Sequence, residues 1–371
     1  MSSAESNGQL TIRNKVDVAR LESYLLSVSK EQFSIPLKVK QFSFGQSNPS
    51  YQLTDSRGRK YVLRTQPGGE SMSKSAHRVD REYYVMRAMK LKGFPVPRVY
   101  SLCTDLSILG KVFYIMEFIE GRIFRDLDTP ELSRSDQWQC WKSAIQTLAD
   151  LHNIDPRSLD LPPAFKLTYS SHFPRQVKIL ETISNRQATI KSTSGDAVGP
   201  IPGIKKILRY LSSQRPAERI SFVHGDYKID NLIYDPTENR VIAVLDWELC
   251  TIGHPLADVG NLLHSYFIPR TLESPVRGIA DYGQSLTTRP VQRHLEVYAT
   301  GSGWDPSAEF SYAIIFAHFR LSVITQGIKA RTLQGLASNE NASKIASSFV
   351  SLANMALEAI ESTSSTIPLK L

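Results

Sequence analysis

The first third of the chain alternates short apolar runs with polar turns. Apolar residues recur at helical spacing after Asp17, which predicts a helix over residues 17–28 with Asp17 as its cap. The same spacing predicts a second helix over residues 77–90. Apolar runs of strand length, bounded by turn residues, predict strands over residues 37–44, 50–53, 60–65, 96–102 and 111–117. This part of the chain is therefore predicted to be rich in β-structure.

Helical patterns dominate the rest of the chain. They predict helices over residues 138–152, 259–267, 308–331 and 342–360. A strand-loop-strand segment from Ile220 to Trp247 interrupts them, and the Ser-, Gly- and Pro-rich residues 191–203 predict a loop. The predicted fold class is α+β. One domain is expected, with a β-rich N-terminal lobe over residues 1–117 and a larger helical C-terminal lobe over residues 118–371.

Composition and charge narrow the class of protein. The 371 residues are 41% hydrophobic and 22% charged, which is ordinary for a folded chain and excludes a disordered protein. Three distant cysteines without metal-ligand spacing argue against a disulfide framework or a structural zinc site. The 44 basic and 36 acidic residues give a net charge of +8, but the basic residues are scattered. No nucleic-acid partner is therefore predicted.

The sequence also carries expectations about location. No apolar run approaches the roughly 18 residues that a membrane-spanning helix requires, so no membrane partner is predicted. The polar residues 1–9 lack the pattern of a secretory signal, which favours a cytoplasmic protein. The final residues Leu369-Lys370-Leu371 end like a peroxisomal signal without its small first residue, so a peroxisomal location is the alternative.

Two motifs are the most informative about chemistry: FVHGDYKIDN at residues 222–231 and VLDWE at residues 244–248. Phosphoryl transfer from a nucleotide needs an acid that orients the attacking hydroxyl, an amide and a carboxylate that hold a metal ion, and a cation that neutralises the moving charge. The motifs supply one residue of each type, namely Asp226, Asn231, Asp246 and Lys228. The alternative is a buried structural turn followed by a helix cap, because Asp and Asn are common in turns for local reasons.

These motifs resemble those of the aminoglycoside phosphotransferase and choline kinase families, whose catalytic loop reads H-G-D-x-x-x-x-N and whose metal-binding acid lies in an I/L-D-W/F segment. The resemblance implies a protein kinase-like bilobal fold. It also implies that a small-molecule hydroxyl is phosphorylated with ATP and Mg²⁺. Asp226 and Lys228 would then be catalytic, and Asn231 and Asp246 would bind the metal. Asp258 would brace the catalytic loop.

The resemblance further implies nucleotide contacts in the N-terminal lobe. A turn between two predicted strands is expected to cover the nucleotide with Gly45, Ser47 and Asn48, although an ordinary hairpin turn explains these residues equally well. The strand that ends before Gly121 is expected to be the hinge, where backbone groups of three residues would contact the adenine edge: Glu117, Phe118 and Ile119. A core strand without a ligand is the alternative there.

Arg64 stands where related kinases carry a lysine that binds phosphate. An arginine can hold phosphate with its planar fork, but it is larger and always charged. Glu82 is the expected ion-pair partner on the following helix, and Asp80 competes for that role. The alternatives are a solvent-facing strand residue and an ordinary exposed helix acid.

Within these families, the sequence most resembles one subgroup. It consists of the kinase-like domain fused to some acyl-CoA dehydrogenases and the stand-alone microbial homologues of that domain. The matching stretches are VLR with PGG in residues 62–69, SAHRVDREY at 75–83, HGDYKIDNLIYDP at 224–236 and LDWELCTIGHPLADVG at 245–260. This resemblance implies a hydroxyacyl-CoA or hydroxy acid as the substrate, which would be a small hydroxylated molecule or CoA thioester. It also implies a separate acyl-CoA dehydrogenase as a pathway partner.

Two other functions remain open at this point. A protein kinase would share the D-x-K-x-x-N spacing, but Gly225 replaces the usual arginine and Trp247-Glu248 replaces Phe-Gly. A non-catalytic ATP-binding regulatory protein would keep the fold without turnover.

Overall fold

A computed structural model of the chain describes residues 16–42, 48–67, 78–127, 129, 131–162, 165, 171–192, 195–276, 278–279, 289–336 and 342–364. The chain divides into two compact units, Met1–Glu120 and Gly121–Leu371, which we describe separately. No helix among these residues combines the length and the hydropathy needed to cross a membrane.

Unit 1 is built on a five-stranded antiparallel sheet with strand order β1-β2-β3-β5-β4. Its strands are β1 (Lys38–Gln41), β2 (Ser50–Thr54), β3 (Lys60–Thr65), β4 (Val99–Cys103) and β5 (Phe113–Glu117). Its helices are α1 (Val18–Val28), α2 (Val79–Leu91) and the short α3 (Leu106–Leu109). All five predicted strands are present. The first begins at Lys38 and ends at Gln41, and residues 43–44 of its predicted range lie outside the described residues. Helix α3 was not predicted.

The helix ends and turns of unit 1 follow from local chemistry. Asp17 caps α1 as predicted, since its side chain accepts a hydrogen bond from the backbone N–H of Arg20 at 3.1 Å. The turn between β2 and β3 is closed by Asp55, whose Oδ1 accepts from the N–H groups of Arg57 and Arg59. Gly58 in the same turn has a φ of +77°, which a residue with a side chain adopts only at a cost.

Unit 2 is mainly helical. Its helices are α4 (Arg134–Asn153), α5 (His172–Ala188), α6 (Ile204–Ser213), α7 (Leu256–Leu263), α8 (Arg289–Ser302), α9 (Phe310–Leu333), α10 (Ala342–Ala346) and α11 (Ser348–Ser364). Two antiparallel pairs complete it, β6 (Ser221–Val223) with β9 (Thr251–Gly253) and β7 (Leu232–Tyr234) with β8 (Val241–Val244). The predicted helix over 259–267 is in fact α7 followed by a 3₁₀ turn at His264–Phe267. The sequence pattern did not single out α5, α6 or α8.

Helix α9 forms the centre of unit 2. Buried residues occur on all of its faces between Phe310 and Ala330, and it packs against α5, α7 and α11. A helix that is apolar all round belongs in the interior of a protein. Because α7 and α9 are in contact, polar residues of the two helices can reach the loops that surround β6.

The core of unit 1 generates a stability prediction. Leu63 on β3 is fully buried, whereas Leu91 at the end of α2 is 73% exposed. We expect Leu63→Ala to lower the free energy of unfolding by about 2–5 kcal/mol, because it leaves a cavity in the core. The matched variant Leu91→Ala should change it by less than about 0.5 kcal/mol. Urea unfolding of both variants is the measurement, and equal losses would contradict the assigned core.

Candidate active site

A loop that follows β6 carries most of the predicted chemistry, and we call residues 224–231 the HGD loop. Its second residue, Gly225, has a φ of +83°, and a Cβ atom placed there would lie 2.5 Å from the carbonyl oxygen of Leu249. Real Cβ atoms do not approach that closely, so only glycine fits. The glycine therefore allows the HGD loop to pass directly against the segment before β9.

Asp258 at the start of α7 holds the first two residues of the HGD loop. Its Oδ2 accepts from the N–H of His224 at 2.6 Å and its Oδ1 accepts from the N–H of Gly225 at 2.9 Å. His152, at the end of α4, lies 3.3 Å from Oδ2. Burial alone would raise the pKa of Asp258, but the hydrogen bond to His152 and the nearby histidines and backbone donor outweigh burial and lower that pKa. Asp258 therefore remains a carboxylate that fixes the backbone of the loop.

His224 connects the HGD loop to the next motif. Its Nδ1 accepts from the N–H of Asp226 at 3.2 Å, so the ring proton is assigned to Nε2, which donates to the carbonyl of Leu245 at 3.0 Å. The ring is fully buried and packs against Trp247 with 4.5 Å between centroids. The buried imidazole thus links Asp226 to the residue that precedes Asp246.

Three of the four residues proposed for chemistry lie together. The Nδ2 of Asn231 is 3.1 Å from Oδ2 of Asp226 and 2.9 Å from the backbone carbonyl of Asp226. The Nζ of Lys228 is 3.4 Å from Oδ2 of Asp226 and 3.5 Å from Asp230. Burial lowers the pKa of Lys228, but the charges of Asp226 and Asp230 outweigh burial and raise it above its usual value. Lys228 is therefore a cation near neutral pH.

The fourth residue, Asp246, is brought beside Asn231 by a hairpin. Strands β7 and β8 pair Leu232 with Val244, and the N–H of Leu245 donates to the carbonyl of Asn231 at 2.9 Å. Asp246 has a φ of +66°, an uncommon conformation for a residue with a side chain. An amide and a carboxylate, both oxygen donors of the kind that Mg²⁺ prefers, thus come from adjacent positions of two loops.

In unit 1 the predicted ion pair between Arg64 and Glu82 is present. The Nε of Arg64 lies 2.9 Å from Oε2 of Glu82, and the side chain of Arg64 is only 11% exposed. Asn48 and Tyr114 also donate to the Glu82 carboxylate, at 3.0 and 3.1 Å. Asp80 does not compete for Arg64, because it pairs with Arg78 at 2.8 Å. The carboxylate of Glu82 is thus a buried anchor for two predicted nucleotide-binding residues.

The other predicted nucleotide contacts are less defined. Gly45 and Ser47 lie outside the described residues. Glu117, Phe118 and Ile119 follow one another at and after the end of β5 and are partly buried. The backbone N–H of Glu117 donates to the backbone carbonyl of Arg98 at 2.8 Å. Their contact with adenine stays a prediction.

Two residues at the HGD loop were missed by sequence reasoning, Asn261 on α7 and Arg320 on α9. Arg320 donates to the carbonyl of Gly225 at 2.9 Å and to Oδ1 of Asn261 at 3.0 Å. Asn261 donates to the carbonyl of Tyr227 at 3.0 Å. A signal was available in each case, since an Asn inside a helix departs from helix preference and a charged residue interrupts the apolar stretch of α9.

Comparison with known proteins fits this arrangement. Residues 38–296 match the sequence model of the phosphotransferase enzyme family, called APH. The chain belongs to this family. Its membership confirms the predicted resemblance to a family of phosphotransferases.

The chain is also similar to individual known proteins. Acyl-CoA dehydrogenase family member 11 of Rattus norvegicus is 36% identical over 96% of this chain, which spans only 45% of that relative. The crystal structure of a putative aminoglycoside phosphotransferase from Ralstonia eutropha is 31% identical over 94% of this chain and 99% of its own, with a TM-score of 0.77. Choline kinase from Cryptosporidium parvum is 14% identical, covers 92% and 95% of the two chains, and has a TM-score of 0.60. The predicted protein kinase-like α+β fold is confirmed.

The close approach at Gly225 can be tested by comparison with Gly303, which has a similar φ of +69° but open space around it. Gly303→Ala should cost about 1–2 kcal/mol in the free energy of unfolding, because an L residue is strained at positive φ. Gly225→Ala should cost at least about 1 kcal/mol more, because its Cβ also meets the Leu249 carbonyl. Urea unfolding of both variants is the measurement, and indistinguishable losses would contradict the close contact.

Proposed function

We propose that the protein is an ATP- and Mg²⁺-dependent phosphotransferase that acts on a hydroxyl group of a small molecule. The observation that carries this proposal is the arrangement of Asp226, Lys228 and Asn231 within hydrogen-bond or ion-pair distance, with Asp246 held next to Asn231. These are the side-chain types that phosphoryl transfer requires. Family membership supports the same reaction class.

In this proposal Asp226 orients the acceptor hydroxyl and accepts its proton. The hydroxyl oxygen forms a bond to the γ-phosphorus while the bond from that phosphorus to the β–γ bridging oxygen breaks, so ADP leaves with the electron pair. Lys228 neutralises negative charge that develops on the transferred group. Its raised pKa suits this role and not that of a base.

Asn231 and Asp246 would hold the metal, since an amide oxygen and a carboxylate match the hard-oxygen preference of Mg²⁺. The Nδ2 of Asn231 donates to Asp226, which leaves its amide oxygen as the ligand atom. When bound, Mg²⁺ would neutralise the phosphate charge and orient the phosphates.

Unit 1 would supply nucleotide contacts. Arg64, held by the buried Glu82, presents a guanidinium suited to phosphate oxygens. Asn48 shares the same carboxylate, and Gly45 and Ser47 precede it in the sequence. We also propose that the adenine edge meets backbone groups of Glu117, Phe118 and Ile119.

The acceptor that we propose is a hydroxyacyl-CoA or a free hydroxy acid. The names of the curated relatives and the net charge of +8 support an anionic acyl substrate. An acyl-CoA dehydrogenase would then act in the same pathway. The reaction would take place in the cytoplasm, with the peroxisome as the alternative.

An ADP-release measurement over hydroxyacyl-CoAs, hydroxy acids, aminoglycosides, choline and protein substrates tests the proposal. We expect turnover with an acyl acceptor, and Asp226→Asn should lower it by about 10²- to 10⁴-fold, the usual worth of a positioned acid–base group. The affinity for MgATP should change little. Asp160, which is exposed in unit 2, supplies the control Asp160→Asn.

Undiminished turnover of Asp226→Asn would remove Asp226 from the role. Labelled protein at high stoichiometry would instead favour a protein kinase. Tight binding of ATP without ADP release from any acceptor would favour a regulatory protein.

The metal assignment makes a separate prediction. Asp246→Ala should raise the Mg²⁺ concentration needed for half-maximal ATP binding by at least about tenfold, because it removes a carboxylate ligand. Calorimetric titration of ATP at several Mg²⁺ concentrations is the measurement, with Asp160→Ala as the control. A Mg²⁺ dependence identical to that of the unaltered protein would count against Asp246 as a ligand.

A further inference from the structure

The backbone of the HGD loop is held by side chains from other parts of unit 2. Three successive carbonyl oxygens each accept one side-chain hydrogen bond: Asp226 from Asn231 within the loop, and Gly225 from Arg320 and Tyr227 from Asn261, which both lie outside it. The bonds to Gly225 and Tyr227 measure 2.9 and 3.0 Å, so Asp226 lies between two anchored peptide groups. The conformation of this turn therefore depends on residues that do not themselves belong to the loop.

Arg320 and Asn261 act as one unit. The Nη1 of Arg320 donates to Oδ1 of Asn261 at 3.0 Å, which assigns the amide so that its Nδ2 faces the carbonyl of Tyr227. Removing the guanidinium would leave the Asn261 amide without the partner that orients it. The two anchors at Gly225 and Tyr227 should thus be lost together.

The geometry of the two hydrogen bonds favours an arginine at this position. The guanidinium is planar and offers several donors in a fixed geometry, so one side chain can serve both the Gly225 carbonyl and the Asn261 amide. A lysine keeps the charge but presents a single nitrogen. Arg320 is partly buried between the buried residues Phe319 and Leu321 of α9, where an unsatisfied charged group would be costly.

We propose that Arg320, acting through Asn261 and the Gly225 carbonyl, is a positioning residue that aims the carboxylate of Asp226 at the acceptor hydroxyl. The inference rests on the proposed role of Asp226 but adds a residue from α9 to the machinery. Errors of about 1 Å in the placement of a reacting group can cost about 10²-fold in rate. The hydrogen bonds that Arg320 and Asn261 make to the HGD loop therefore affect the rate of the chemical step. MgATP binding does not depend on them.

The test compares Arg320→Met, Arg320→Lys and Asn261→Ala with the control Arg331→Met, an exposed arginine on the same helix. Arg320→Met should lower kcat by roughly 10- to 100-fold. The Kd for MgATP should stay within about threefold and Arg331→Met should match the unaltered protein in both quantities. Arg320→Lys should recover part of the loss. In the double variant, which combines Arg320→Met with Asn261→Ala, kcat should stay within about threefold of the kcat of the slower single variant. The reason is that the two residues act as a unit.

Hydrogen exchange of the Gly225 and Asp226 amides gives a readout that needs no acceptor. Arg320→Met should speed their exchange by at least about tenfold without changing the global unfolding midpoint. Three results would each overturn the proposal. The first is an Arg320→Met variant with unchanged kcat and unchanged exchange of the Gly225 and Asp226 amides. The others are a double variant in which the two losses of kcat multiply, and an Arg320→Met variant that loses kcat and MgATP affinity equally. If the unaltered protein releases no ADP with any acceptor, the proposed function fails, and the exchange comparison still decides whether Arg320 holds the loop.

Discussion

A buried carboxylate sets the geometry on which the candidate site depends. Asp258 is almost completely inaccessible, and a buried charge is costly unless it is paired and hydrogen-bonded. Its oxygens accept from the N–H groups of His224 and Gly225 and contact His152. Two of these donors belong to the HGD loop. If the loop changed conformation, the carboxylate would therefore lose these hydrogen bonds while still buried, or would become exposed. The lowered pKa of Asp258 reflects the same interaction, since the ionised form is the one that the loop requires.

The remaining contacts extend this constraint outward. His224 donates to the carbonyl of Leu245, the residue before Asp246, and so links the HGD loop to Asp246. The β7–β8 hairpin places Asp246 beside Asn231. The backbone is therefore held by buried groups, while the side chains of Asp226 and Lys228 are about 30% exposed, at 27% and 31%. A rigid frame with accessible polar groups suits a reaction in which positioning and electrostatic stabilisation provide most of the rate.

The sequence predicted the parts of this frame that are local or that follow a motif. The strands of unit 1, the cap at Asp17 and the pairing of Arg64 with Glu82 could be read from periodicity and from the resemblance. Helix α5 was not predicted because Pro174 lies in its first turn. A proline is tolerated at that position of a helix, but in a sequence it is commonly taken as a helix end. Helix α9 has no polar face, and the helix predicted over residues 308–331 is nevertheless present at Phe310–Leu333.

The contacts of Arg320 could not be predicted in this way. It meets Gly225 across 95 positions of sequence, and no spacing rule connects a residue in the middle of α9 with a loop that distant. Such a pair becomes visible only when tertiary packing brings α7 and α9 together beside β6. Asp258, unlike Arg320, was identified from the family resemblance as a residue that holds the loop. The resemblance did not show which backbone groups Asp258 holds.

The central claim is that Asn231 and Asp246 share a metal ion next to Asp226. It is tested most directly by a crystal structure with Mn²⁺ and a non-hydrolysable ATP analogue, in which anomalous scattering locates the ion. The account predicts an ion coordinated by the Asn231 amide oxygen and an Asp246 carboxylate oxygen at about 2.0–2.3 Å, bridging phosphate oxygens. A metal–nucleotide complex bound to other residues, with these two side chains outside its coordination shell, would contradict the account.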